Sequence, residues 1–371
     1  MVLKINKQSF SRTNSPFKLA ALLTMWLMIP CIALSLFSFS CSDESPKRDA
    51  GLNEKLKFNE EEYRDTLKNR FTDKTFSSYL SDSSFQYLDT LKDFYSSRNF
   101  EPAFIKSFEE ADLVNSIIIF LEKAGEHGLE PEQYHLGLIK NEYFNAINDT
   151  IKNPARLIQL ANGELFIADA LLKYSYHLRY GVVNPTKIFL ETYYLPVVDS
   201  SKRSLFEPLK QDNIIQYLKD IQPKSEKYKR LQTALRHYNS YKDLEWKAIA
   251  VPDKKIEPGD KDSLLIPIAE RLITLEYLDT SKIKISDYAF YDSLLLNPVK
   301  KFQQLNGLND DGVIGKSTIE KLNVTPKELI DRIKINLERF RWNDYTDTSK
   351  YIVVNIPDFR LYVIENKKRT I

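Results

Sequence analysis

From Lys55 to about Tyr241, apolar side chains recur every three or four positions, as at Leu113, Ile117, Phe120 and Leu121, with Gly and Pro dividing the pattern into segments. The spacing predicts an all-α region. One helix is expected to begin after Asn153-Pro154, where proline suits a first turn, and to run to Tyr180 ahead of Gly181 and Pro185. Between Leu157 and Leu172 it is apolar on nearly every side, interrupted only at Asn162, Gly163, Glu164 and Asp169. A helix without a polar face belongs in the middle of a bundle, and its two carboxylates argue against a membrane span.

The pattern changes after Trp246. Pro252, Pro258 and Gly259 among mixed charges predict a linker or connecting strand. Helices follow around Ile266–Leu278, around Leu294–Asn306 up to Gly307, and from about Ser317 to Leu322. In the loop LNDDGVIGKST, Asp311-Gly312 marks a tight turn and Gly315 precedes a Ser/Thr helix start. Val299, Phe302, Leu305, Val313, Ile314, Ile319 and Leu322 are expected to form a small core. A further helix over 326–342 starts at Pro326, with Leu329, Ile333, Leu337 and Phe340 on one face and Arg332, Arg339 and Arg341 beside it. Tyr351–Ile356 and Phe359–Glu365 alternate as strands around a Pro357-Asp358 turn. A lone two-stranded hairpin is marginal in water, so the sequence is expected to be cut short there.

The N-terminus obeys a different logic. Lys4, Lys7, Arg12 and Lys18 precede an uncharged stretch from Leu19 to Ser40, then Cys41 and the polar run SDESPKRD. This is the layout of an export signal. The stretch would make a helix of roughly 33 Å, long enough for a retained anchor, although Pro30 breaks its middle. Residues 42–54 are polar and read as a tether.

Composition narrows the chemistry. Lys+Arg 53 against Asp+Glu 51 leaves a net charge of +2, too near neutral for a nucleic-acid binder. Ten glycines in 371 residues favour helices over a turn-rich β fold. The only two cysteines, Cys31 and Cys41, exclude a disulfide framework and a cysteine-based zinc cluster. His127, His135, His177 and His237 show no metal-ligand spacing and read as packing or surface residues, so no metal and no cofactor are expected. G-x-S-x-G, P-loop and dinucleotide fingerprints are absent, and acid pairs such as Glu60-Glu61 and Asp310-Asp311 read as solvated faces or turns. A glycosidase pair of carboxylates facing across a cleft stays open at this level.

Several blocks resemble known families. Ser40-Cys41 before the polar run resembles the lipobox of bacterial lipoproteins, which implies lipidation at Cys41, and Ser42 leans towards the outer membrane. LKDFYSSRNFEPAFI, LEKAGEHGLEPEQYHL, ADALLKYSYHLRYGVVNPTKI and IQPKSEKYKRLQTALRHY, in that order over about 150 residues, resemble the helical scaffold domain of the large bacterial L,D-transpeptidases. VKKFQQLNGLNDDGVIGKSTIEKLN resembles the peptidoglycan-binding-like module of cell-wall enzymes. NLERFRW and YIVVNIPDFRLYVIEN resemble the lead-in and opening hairpin of the L,D-transpeptidase catalytic domain.

The resemblance implies a mainly α chain that ends in the incomplete β-hairpin of a truncated catalytic domain. Its organisation would be a leader over 1–40, a tether over 41–54, a scaffold over 55–250 and a peptidoglycan-binding-like module over 258–325. A connecting helix over 326–342 and the start of the catalytic domain over 343–371 would follow. Such enzymes cross-link stem peptides through a cysteine acyl-enzyme, with a histidine and backbone donors assisting. The family's H…S-x-G-C-x-R stretch has no match here, so no catalytic residue is assigned and the polypeptide alone is expected to be inactive. Peptidoglycan is the implied partner, with Asp311, Gly312 and Gly315 as candidate contacts, although the same residues can serve only to build the module. The implied location is the periplasm, tethered to a membrane by lipid or anchor.

Three readings stay open. The chain is the N-terminal piece of an L,D-transpeptidase, a non-catalytic wall-binding scaffold that positions a separate catalytic half, or a helical envelope lipoprotein without wall contact.

Overall fold

The structure is a computed structural model, and it describes residues 59–73, 85, 87–106, 111–148, 154–189, 206–279, 289–342, 350–355, 359–366 and 368–370. The expected leader over 1–40, Cys41 and the expected tether lie outside the described residues. No described helix is long and apolar enough to cross a membrane. The described residues form twelve α-helices and one small antiparallel sheet, so the fold is mainly α. They divide into two compact units: Ile249–Leu322, and the residues flanking it on both sides.

The flanking unit is built around one long helix. In chain order it contains α1 (Glu60–Arg70), α2 (Leu88–Ser97), α3 (Ala111–Glu122), α4 (Leu136–Asn148), α5 (Pro154–Tyr180), α6 (Pro185–Phe189), α7 (Ile214–Asp220) and α8 (Glu226–Asn239). Helix α5 is buried on almost every face, including Leu160, Ala161, Leu165, Phe166, Ile167, Leu171, Tyr174 and Leu178. That matches the missing polar face. The helix stops where expected: Gly181 takes φ +86 and its N–H closes on the His177 carbonyl at 3.0 Å. At the other end of the unit's chain order, α1 is capped by the Asn59 side chain and carries Glu60, Glu61 and Glu62 in its first turn, where the helix dipole favours negative charge.

The Ile249–Leu322 unit contains α9 (Leu265–Thr274), α10 (Ser293–Leu305) and α11 (Lys316–Leu322). Leu265, Ile268, Leu272, Leu295, Val299, Phe302, Ile314, Ile319 and Leu322 form its core. Val313 and Leu305 depart from expectation: Val313 is half-buried outside that core, and Leu305 is 47% exposed. At 100° per residue Leu305 falls well off the stripe made by Leu295, Val299 and Phe302, and buried Gln303 occupies the flank of that stripe instead.

After this unit the chain rejoins the first through α12 (Pro326–Trp342). Thr325 and Glu328 form a reciprocal capping box: the Thr325 N–H donates to Glu328 Oε2 at 3.0 Å, and the Glu328 N–H to Thr325 Oγ1 at 3.2 Å. Helices α8 and α12 pack along a seam of Tyr228, Leu231, Leu235, Ile330, Ile333 and Leu337. Tyr228 near the start of α8 meets Arg341 near the end of α12, so the pair runs antiparallel. The Ile249–Leu322 unit is therefore an insertion within an αα-hairpin.

The sheet differs from the expected hairpin by a third strand. β1 (Lys350–Asn355) pairs with β2 (Arg360–Glu365) in the register Ile352↔Val363 and Val354↔Leu361, and β2 pairs with β3 (Lys368–Arg369). Ile352, Val354 and Leu361 share one face and are 63%, 63% and 51% exposed.

Candidate functional site

The loop between α10 and α11 is held from inside by Gln303. Its Oε1 accepts from the Gly312 N–H at 2.9 Å, and its Nε2 donates to the Val313 carbonyl at 2.9 Å and to Thr318 Oγ1 at 3.2 Å. The Tyr291 hydroxyl donates to the Gly312 carbonyl, and Ile256 and Ile314 exchange both backbone bonds at 3.0 Å. Every backbone group so held is satisfied within the unit.

The three sequence-derived contact residues lie along this loop. Asp311 is exposed: Oδ1 accepts from the Val313 N–H at 2.9 Å and Oδ2 from Asn309 Nδ2 at 2.8 Å, an Asx-type turn. Gly312 is buried at φ +85, and a Cβ there would run into Leu296 Cδ1. Gly315 is half-buried, and its carbonyl accepts from the Thr318 and Ile319 N–H groups at 3.1 Å to open α11. Gly312→Ala is expected to destabilise this unit by roughly 1–2 kcal/mol from left-handed backbone strain alone, plus the displacement of Leu296. Thermal unfolding of the full chain should show the loss. Gly315→Ala, whose Cβ would find its nearest neighbour at 3.7 Å, should be close to neutral.

Buried polar groups of the flanking unit concentrate on α5. Glu164 accepts from the Tyr95 hydroxyl at 2.7 Å and from the successive N–H groups of Ala103, Phe104 and Ile105. Burial pushes its carboxyl up, and these donors pull the other way. Asp169 accepts from His135 Nε2 at 2.8 Å and from the Tyr87 N–H at 3.2 Å. Both carboxylates thus pin segments from other parts of the chain onto the central helix.

The junction of α12 with the other helices of the unit carries a further buried charge. Arg341 lies beside the apolar face as expected, and it is buried there at 3% exposure. Its Nη1 donates to the His127 carbonyl at 2.7 Å and to the Tyr228 oxygen at 3.1 Å, and its Nη2 to Glu338 Oε2 at 2.6 Å. Glu338 Oε1 accepts from the Val183 N–H at 3.0 Å and from Trp342 Nε1 at 2.9 Å. Gly181 makes room for this: a Cβ there would run into Glu338 and Trp342. His127, His135 and His177 are buried, while His237 is half-buried with its ring 5.0 Å from that of Tyr241. Among the described residues no three His, Cys, Asp or Glu side chains converge to hold a metal ion.

Two comparisons bear on these arrangements. Residues 89–235, from α2 into α8, match the family model described as a scaffold domain. Residues 266–322, covering the three helices of the inserted unit, match the model described as a putative peptidoglycan binding domain. The chain matches no curated protein. Together the two matches support a cell-wall-related protein with peptidoglycan as a partner.

Proposed function

We propose that this chain is an envelope protein of the L,D-transpeptidase type that binds peptidoglycan through its inserted three-helix unit and does not perform thioester chemistry by itself. The observation that carries the reading is the order of the two family matches, a scaffold domain followed by a peptidoglycan-binding domain in one chain. The sulfur inventory supports the second half: Cys31 and Cys41 are its only thiols, both at the N-terminus. Cys41 would carry lipid and hold the protein on the periplasmic side of a membrane, with Ser42 favouring the outer one.

A second reading has its own support. The sheet face of Ile352, Val354 and Leu361 is more than half exposed in an apolar stripe, the character of a surface that another polypeptide covers. On this reading the chain positions a separately supplied catalytic half.

One experiment tests both parts of the proposal. The full chain, kept in mild detergent, is mixed with purified peptidoglycan sacculi and sedimented, and a parallel sample is treated with a carbapenem and weighed intact. The chain should sediment, a variant lacking 249–322 should stay in solution, and the intact mass should not change. A full chain left in the supernatant would sink the wall-binding half, and a stoichiometric adduct would sink the non-catalytic half.

A further inference from the structure

The α12 junction contains an imidazole whose hydrogen bonding leaves no place for a second proton. Arginine has donors only, so the bond from Arg341 Nη1 uses the Tyr228 oxygen as acceptor. The Tyr228 hydrogen then points to His127 Nδ1, 2.9 Å away, and Gln232 Nε2 approaches the same nitrogen at 3.3 Å. His127 Nδ1 is an acceptor facing two donors, and its proton resides on Nε2. A relay therefore runs from the Arg341 guanidinium through the Tyr228 hydroxyl to the His127 ring, linking α12, α8 and the Lys123–His127 turn.

The surrounding charges leave an added proton without a counterion. From α12 come Lys334, paired with Glu130 at 2.6 Å, and Glu338 and Arg341, paired with each other. Both oxygens of Glu338 are already committed, to Arg341 on one side and to Val183 and Trp342 on the other. From α8 come Tyr228 and Arg236, the latter 3.7 Å from Glu126 of the adjoining turn. The turn after Glu130 supplies Tyr134, whose hydroxyl lies 3.0 Å from His177 Nδ1, and α5 supplies Lys173, Tyr174 and His177 itself. A proton on His127 would place a second cation beside a buried guanidinium and set a new Nδ1–H against the Tyr228 hydroxyl hydrogen.

We propose that this junction is an acid-sensitive latch: protonation of His127, reinforced by His177, breaks the Arg341–Tyr228–His127 relay and releases α12 while the rest of the helical unit stays folded. Burial first and Arg341 second hold His127 down to about 4. Burial first, then Lys173 and Arg341 against the opposing pull of Glu338, hold His177 down to about 4. With the docked state lowered from the ordinary 6.5, the released state takes up protons that the docked state refuses. Docking is therefore complete above pH 7 and weakens as pH falls through 6.5 towards 4. At pH 5 each histidine that becomes solvated on release weakens docking by about thirty-fold.

Hydrogen exchange of the full chain at pH 7.5 and pH 5.0, corrected for intrinsic rates, reads the latch directly. Peptides from α12 should open at least about thirty-fold more often at the lower pH, with those from α5 unchanged. A His127→Gln, His177→Gln double variant should lose most of that response. An undiminished response in the double variant, or simultaneous loss of protection in α5, would overturn the proposal by assigning acid sensitivity to carboxylates elsewhere. Because the variant can also fail to fold, the wild-type histidine ring signals give a second reading by NMR. Titration of His127 near 6.5 in the docked state would overturn the latch, and titration near 4 is expected.

Discussion

Glu164→Ala is expected to destabilise the helical unit by about 3–5 kcal/mol, lowering Tm by roughly 10 °C in thermal unfolding of the full chain. The carboxylate lies in the middle of the longest described helix, fully buried, and is the shared acceptor for one phenol and three consecutive backbone amides. Alanine removes the acceptor of all four donors together. It leaves the N–H groups of Ala103, Phe104 and Ile105 and the Tyr95 hydroxyl buried without that acceptor, each left-over donor contributing about 1–3 kcal/mol before relaxation. Relaxation of the 101–105 loop towards water brings the total down to the stated range. Glu164→Gln separates charge from hydrogen bonding. Its amide retains one oxygen but turns an NH2 group towards donors, so a loss smaller than that of alanine but still above about 1 kcal/mol is expected. A glutamine variant as stable as wild type would show that the charge contributes nothing and that one acceptor oxygen is enough to hold the loop.

Why this site could not be read in the sequence is a matter of separation along the chain. The limits of α5 were legible, because Pro154 and Gly181 are local signals that act where they stand. The same local grammar located the three helices of the inserted unit to within a few residues. Glu164, in contrast, appears in the sequence only as an interruption of an apolar run, and its partners lie 59 to 69 positions away. Asp169 likewise draws on Tyr87 and His135, 82 and 34 positions away. A carboxylate on an otherwise apolar helix does signal that donors must converge on it, but not which ones. Gln303 carried a weaker signal, a polar residue directly after Phe302 at the flank of the buried stripe of α10. The candidate contacts Asp311, Gly312 and Gly315 were legible as turn chemistry, and their hydrogen bonds in the structure are those of a turn. Arg341 was legible as a neighbour of the apolar face but not as a buried one, because a helical wheel orders residues by angle and cannot see that the His127 and Tyr228 acceptors lie opposite that flank.

Arg341→Ala is expected to loosen α12 from the helical unit, with a loss of about 3–5 kcal/mol in the stability of that unit. The guanidinium side chain is 1% exposed and serves three acceptors at once, so its removal leaves the His127 carbonyl, the Tyr228 oxygen and Glu338 Oε2 short of donors in a place water barely reaches. Glu338 is the decisive one, because a half-used carboxylate next to a buried seam retains its charge and loses its counterion. A Glu338→Gln change alone also harms the junction, since it turns an amide NH2 towards the guanidinium. Combined with Arg341→Ala it removes the stranded charge, so the double variant should be more stable than the sum of the single losses by about 1–3 kcal/mol. Strict additivity in that cycle would mean that the two side chains act independently and that the apolar seam of Leu231, Leu235, Ile333 and Leu337 alone fixes the helix. The inserted unit Ile249–Leu322 has its own core, so its own unfolding transition should not move in any of these variants. A transition that moved with Arg341 would instead overturn the assignment of a separate core to that unit.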